Sequence, residues 1–137
     1  MTTVDVLKSA RSSIVKGWLR KGPLAVDTNG VPVAPQSSEA VAWDLMGSVY
    51  AASHNLPEGG PRSLVHREAM EALRMQVPHL KAQQLSVFND ASGRTKEEII
   101  EIFDRAISTA SDPEGMQRIS EAAEEQYERF KRETGRE

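Results

Sequence analysis

Apolar residues recur every three or four positions along most of the chain, which is the period of a helix facing a core. Val4, Leu7, Ala10/Arg11, Ile14/Val15 and Trp18 predict a first helix over residues 3–19. Thr2 or Thr3 offers its N-cap, and Asp5 suits the first turn. Lys16, Arg20 and Lys21 complement the C-terminal end of its dipole, and Gly22-Pro23 stops it. The texture then changes. Residues 24–27 and 31–33 flank Thr28-Asn29-Gly30, and Asn-Gly is a strong hairpin signal. Pro32 and Pro35 confine the hairpin to an edge or isolated ribbon, which must lie on the helices to be stable.

Ser37 caps an expected second helix whose residues 40–52 are apolar on nearly all sides, a pattern that predicts a central helix. Its small residues Ala40, Gly47, Ser48 and Ala51 would let a neighbour come close. Residues 55–61 form a loop, and Pro61 enters the first turn of a third helix over 62–76. The inner stripe of that helix is Val65, Ala69, Ala72/Leu73 and Val77, and Pro78 ends it. Residues 79–87 fit either a short helix or an extended connector. A polar turn, Asn89-Asp90-Ala91-Ser92-Gly93, then leads into a fourth helix over 96–110. Thr95 and Glu98 form its capping box, with Ile99, Phe103, Ala106/Ile107 and Ala110 facing inward. Asp112-Pro113 opens a fifth, heavily charged helix with a thin stripe of Met116, Ile119, Ala123, Gln126/Tyr127 and Phe130, expected to fray after Lys131. About five helices and one small β-hairpin after the first predict an all-α, bundle-like single domain over residues 1–137.

A chain of 137 residues matches one domain and can build its own core. It has no cysteine, so disulfides, thiolate metal sites and a cysteine nucleophile are excluded. The net charge of −3 argues against a general nucleic-acid binder. No segment approaches the ~20 apolar residues that cross a bilayer, and the first residues are amphipathic, not signal-like. A cytoplasmic protein with no membrane partner is expected.

Three segments taken in order resemble a known family. They are Gly17-Trp18 with Leu24-Ala25-Val26-Asp27, Asn29-Gly30 and Pro32-Val33; then Ala40-Val41-Ala42-Trp43-Asp44-Leu45-Met46-Gly47; then Phe88-Asn89-Asp90, Gly93-Arg94-Thr95, Glu97-Glu98-Ile99 and Phe103-Asp104-Arg105-Ala106-Ile107. The pattern is similar to that of small bacterial and phage proteins grouped as a domain of unknown function. It covers roughly residues 4–110 and leaves the charged C-terminal helix outside. The resemblance implies a bacterial or phage origin and a single domain, and it brings no activity with it.

The turn before the fourth helix is the candidate site. A helix N-terminus favours anions, Arg94 adds a forked donor, and Asn89, Asp90, Ser92 and Thr95 could orient a ligand. The same residues also serve as turn formers and caps, and Arg94 could pair with a buried acid such as Asp44. Asp44 sits in the most apolar segment, where a carboxylate needs a partner, a proton or water. It would either be a structural pair or form the floor of a pocket with Arg94 and Asn89. His54, His66 and His79 lack ligand spacing, and His66, between Val65 and Arg67-Glu68, reads as solvated. Asp27-Thr28-Asn29-Gly30 lacks the ligands of a calcium loop. No Gly-x-Ser-x-Gly elbow is present, and the pairs Glu97/Glu98 and Glu124/Glu125 diverge around their helices. No metal or cofactor is expected. The sequence therefore suggests a small binding or interaction protein for an unknown protein or a small anionic ligand, with a homodimer as one arrangement. The rival readings are an enzyme or ligand-sequestering protein with a pocket between the second and fourth helices, and a nucleic-acid-associated regulator using Arg11, Lys16, Arg20 and Lys21.

Overall fold

The computed structural model describes residues 1–57, 59–80 and 84–135. Among them six α-helices follow in order: α1 (Thr3–Lys16), α2 (Leu45–Ser53), α3 (Leu64–Arg74), α4 (Leu85–Asp90), α5 (Lys96–Ser111) and α6 (Pro113–Thr134). Two short strands, β1 (Ala25–Val26) and β2 (Ala42–Trp43), lie between α1 and α2. The fold is thus predominantly helical with a small antiparallel ribbon after the first helix, as the residue pattern predicts. None of these helices is long and apolar enough to cross a membrane.

Local signals set several boundaries. Thr2 and Asp5 form a capping box at α1, and Thr95 and Glu98 form the expected one at α5. In α5 the Glu98 amide donates to Thr95 Oγ1 at 3.2 Å, and the Thr95 amide to Glu98 Oε1 at 2.9 Å. Asp112 is at once the C-cap of α5 and the N-cap of α6, so a single residue joins the two helices. The α6 helix runs on to Thr134, past the expected fraying point at Lys131.

Other boundaries moved, each because a distant segment competed for the backbone. The α1 helix ends at Lys16 instead of Leu19, because residues 17–19 line up beside β2. The Trp43 amide donates to the Gly17 carbonyl and the Leu19 amide to the Trp43 carbonyl, both at 3.0 Å. The Asn29-Gly30 turn closes as expected, with the Asp27 amide on the Val31 carbonyl at 3.0 Å and a single bridge from Val26 to Pro32. Pro32 has no N–H to extend that ladder. Past it the Val33 amide reaches back to the Ala25 carbonyl at 3.1 Å, and the strand that pairs with β1 is β2, in the register Ala25↔Trp43 and Val26↔Ala42. Residues 42–43, expected in the second helix, are therefore strand, and α2 begins at Leu45. Ser37 caps no helix and holds a turn through its hydroxyl and the Glu39 amide at 3.1 Å. Ser63 replaces the expected start of α3, and Pro61 lies in a 3-10 turn (Gly60–Arg62) before it. Of the ambiguous connector, residues 81–83 lie outside the described residues and residues 85–87 open α4, which takes Asn89 and Asp90 out of the polar turn and narrows that turn to residues 91–94.

The buried apolar side chains form one cluster, with Leu7, Ile14, Leu45, Leu73, Leu85, Ile99, Phe103 and Ile119 fully enclosed. The helix that packs against α1, α2, α5 and α6 together is α3, not the apolar α2. Gly47 is where the ribbon meets α2: a Cβ there would stand 2.1 Å from the Leu24 carbonyl oxygen. The close approach anticipated at this glycine is thus made by backbone, which cannot yield as a side chain would. Gly47→Ala is expected to lower unfolding free energy by ~2 kcal/mol, measured by urea titration. A loss near zero would mean that the ribbon slides freely on α2.

Candidate functional site

Three of the six candidate residues, Asp44, Asn89 and Asp90, gather where α4 meets the start of α2. Asn89 is fully buried on α4, and its side-chain amide makes four hydrogen bonds. Its Oδ1 accepts from the Trp18 indole at 2.7 Å and from the Leu45 amide at 3.0 Å. Its Nδ2 donates to the Leu19 carbonyl and to Asp90 Oδ1, both at 2.9 Å. The Leu45 amide belongs to the first turn of α2, where helical donors lack internal partners. Asn89 thus ties three segments together and satisfies one end of α2.

Asp90 extends the network. Its Oδ1 also accepts from the Lys21 amide at 2.9 Å, and its carbonyl accepts from the Arg20 guanidinium at 3.2 Å. Asp44 stands close by as the N-cap of α2, buried, with Oδ1 accepting from the Gly47 amide at 2.6 Å. Burial pushes its pKa up from 3.8 to about 6; the Gly47 hydrogen bond works against this, and the negative charge of Asp90 adds to it. Asp44 is therefore not a mid-helix carboxylate as the sequence suggested, but a cap at the helix start.

Asp44, Asn89 and Asp90 come together; Ser92, Arg94 and Thr95 do not join them. Arg94 does not pair with Asp44. Its guanidinium lies 3.7 Å over the Phe88 ring, its Nε donates to the Phe88 carbonyl at 2.8 Å, and its Nη1 reaches Glu98 at 3.1 Å. Thr95 is occupied with its cap, and Ser92 is exposed at the tip of the turn. Beside α2 it is α4, and not α5, that supplies the groups meeting the helix start. Among the described residues no cluster of three His, Asp or Glu side chains is placed to hold a metal ion.

The sequence hid three contributors. Trp18, Arg20 and Lys21 read as a helix end, yet they close the Asn89–Asp90 network. A second polar cluster lies inside α3. His66, expected to be solvated, is buried with Nδ1 2.6 Å from Ser53 Oγ and its ring 5.0 Å from Tyr50. Burial, aided by the Arg67 charge, lowers its pKa from 6.5 to about 4. Glu68, also buried, accepts from Thr3 at 2.9 Å and from Ser120 at 2.5 Å.

The sequence model of the family of unknown function DUF6197 matches residues 1–109. The chain belongs to that family. No curated protein matches it, and no solved structure does. The DUF6197 segment contains the whole network from Trp18 to Asp90, whereas α6 lies beyond it. Trp18, Asp44, Gly47, Asn89 and Asp90, all within the matched residues, thus meet in one place, around the first turn of α2.

Proposed function

We propose that this protein is a small binding or interaction protein, and that the turn at residues 91–95 recognises an anionic or polar group on its partner. One observation carries the reading. Two guanidiniums from distant segments converge on the same short stretch of backbone. Arg20 donates to the Asp90 and Ala91 carbonyls at 3.2 and 3.5 Å, and Arg94 donates to the Phe88 carbonyl at 2.8 Å. These bonds satisfy the last carbonyls of α4 and hold both cations beside the exposed tip, Ser92-Gly93. Glu97 and Glu98 already occupy the first turn of α5, so attraction for an anion rests on Arg20, and on Arg94 in exchange for its pairing with Glu98 at 3.1 Å, and not on the helix dipole. The buried groups behind the turn serve the fold: the Asn89 amide is fully engaged and Asp44 caps α2. That favours a presented surface over a catalytic pocket. A bacterial or phage, cytoplasmic setting belongs to the same reading, supported by the cysteine-free sequence.

Amide NMR of the folded chain, titrated with inorganic phosphate and separately with acetate, tests it. The expected result is a saturable shift confined to residues 91–95, lost in Arg20→Gln/Arg94→Gln. Arg94→Ala alone should cost only about 1 kcal/mol of stability, since its contacts with Phe88 and Glu98 lie near the surface. Unchanged amides at millimolar anion, or a stability loss as large as that of a core truncation, would assign both arginines to structure alone.

A further inference from the structure

The inner stripe of α6 outlasts the body it packs on. Every residue from 124 to 130 is exposed, with Tyr127 at 38% and Phe130 at 49%. The helix leans antiparallel on α3: Ser120 donates to Glu68, and Arg67, one residue earlier in α3, lies 3.9 Å over the Tyr127 ring. From Glu68 back to Leu64 α3 rises only about 6 Å, whereas α6 from Ser120 to Thr134 rises about 21 Å at 1.5 Å per residue. The end of α6 therefore overhangs the start of α3. Its charges are sorted along its length: Glu121, Glu124, Glu125 and Glu128 come first, then Arg129, Lys131 and Arg132, with Glu133 the exception.

We propose that this overhanging end is a self-association surface, and that its occupant is the same segment of a second copy laid antiparallel. A two-fold axis near residue 128 would set Tyr127 of each copy on Phe130 of the other. These two residues hold core positions of a heptad, and Glu124 and Lys131, seven residues apart, share a flank of it. Only the antiparallel arrangement brings Glu124 of one copy to Lys131 of the other and faces the acidic half with the basic half; a parallel one sets like charges together. The contact is self-complementary and closes as a dimer. Arg129 now pairs with Glu125 at 3.1 Å, both exposed, and half-buried Lys131 pairs with Glu128 at 3.0 Å and lies 4.9 Å over the Tyr127 ring; such near-surface pairs exchange at little cost. A crossing of two to three helical turns buries less than the ~1,200 Å² of a standard interface, so the dimer is weak and reversible.

Sedimentation velocity of the full chain between about 10 μM and about 1 mM, the range such a contact calls for, tests the proposal. The expected result is a concentration-dependent approach to dimer. Phe130→Ser should return the chain to monomer, and Lys131→Glu should weaken association by about tenfold, with Glu124→Lys/Lys131→Glu restoring it. Circular dichroism checks that each variant keeps its helix; if Phe130→Ser loses it, the charge exchange decides. A wild-type chain that stays monomeric to about 1 mM overturns the proposal and leaves the surface to some other partner. A dimer indifferent to Phe130→Ser, or one that the double exchange fails to restore, overturns it equally.

Discussion

Asn89→Leu is expected to destabilise the protein by about 4 kcal/mol, among the largest losses for one side chain in this fold. Leucine has the same branched shape, though a larger volume, but leaves the Trp18 indole, the Leu45 amide and the Leu19 carbonyl without their partner. Each buried polar group left unmatched costs ~1–3 kcal/mol, and the first turn of α2 loses a donor's only partner. The damage reaches beyond α4, because the three groups come from segments 44 to 71 residues away in sequence. Urea unfolding followed by circular dichroism measures the total, and the change in tryptophan fluorescence, to which Trp18 and Trp43 both contribute, reports the loss at the indole. Asn89→Asp keeps the acceptor oxygen but removes the Nδ2 donor and adds a charge beside Asp44 and Asp90. It should therefore be poorly tolerated near neutrality and recover on acidification. A loss under about 1 kcal/mol for Asn89→Leu would mean that water replaces the amide and that the three segments are held by apolar packing.

Between pH 4 and 6 two buried groups should pull stability in opposite directions. Asp44 has a folded pKa raised from 3.8 to about 6, so the native state holds its proton where the unfolded chain has released it. Its contribution is full below the unfolded value and is lost as pH rises through about 6. His66 has a folded pKa lowered from 6.5 to about 4, so the unfolded chain binds the proton first. Its contribution is full above the unfolded value and is lost as pH falls towards about 4. Each amounts to about 3 kcal/mol over its window, and in the wild type the two slopes nearly cancel. Asp44→Asn retains a capping oxygen and should expose the histidine, giving a chain that weakens steeply on acidification from pH 6.5. His66→Gln should expose the aspartate and give a chain that becomes more stable from pH 6 down to 4. Asp5 and Glu98, both lowered by cap hydrogen bonds, lose their contributions only as pH falls below their ordinary values. Urea midpoints at half-unit pH steps separate the three proteins. Parallel curves would show that neither group is buried in its charged or neutral form as the structure has it.

What could be read in advance was what the chain decides locally. The α5 helix was legible from end to end because its cap, stripe and stop lie within one stretch of sequence. Residues 40–44 were not, because Ala-Val-Ala-Trp-Asp is apolar on every side and fits a strand as well as a helix. The choice was made by Ala25 and Val26: one edge of β1 already takes the Val33 amide past Pro32, and residues 42–43 pair with the other edge. Turn propensity placed Asn89 and Asp90 in the polar turn, but packing of Leu85 and Phe88 drew them into a helix. The meeting of Asp44 with Asn89 and Asp90 followed from the expected neighbourhood, whereas Arg94 found nearer partners in Phe88 and Glu98. The burial of His66 had no local trace. Its neighbours Arg67 and Glu68 are the residues of an outer face, and only the enclosure of α3 by four helices turns that face inward.

The one-residue joint at Asp112 has a mechanical consequence. A Cβ on Gly115 would stand 2.1 Å from the Thr109 carbonyl oxygen, so the corner is already closed as far as atoms permit. With no slack at that fulcrum, α6 is a lever of about 33 Å whose angle is dictated by the DUF6197 segment before it. Torque at its far tip is shared between that corner and α3, where Ser120 meets Glu68, and so reaches the centre of the bundle by two routes.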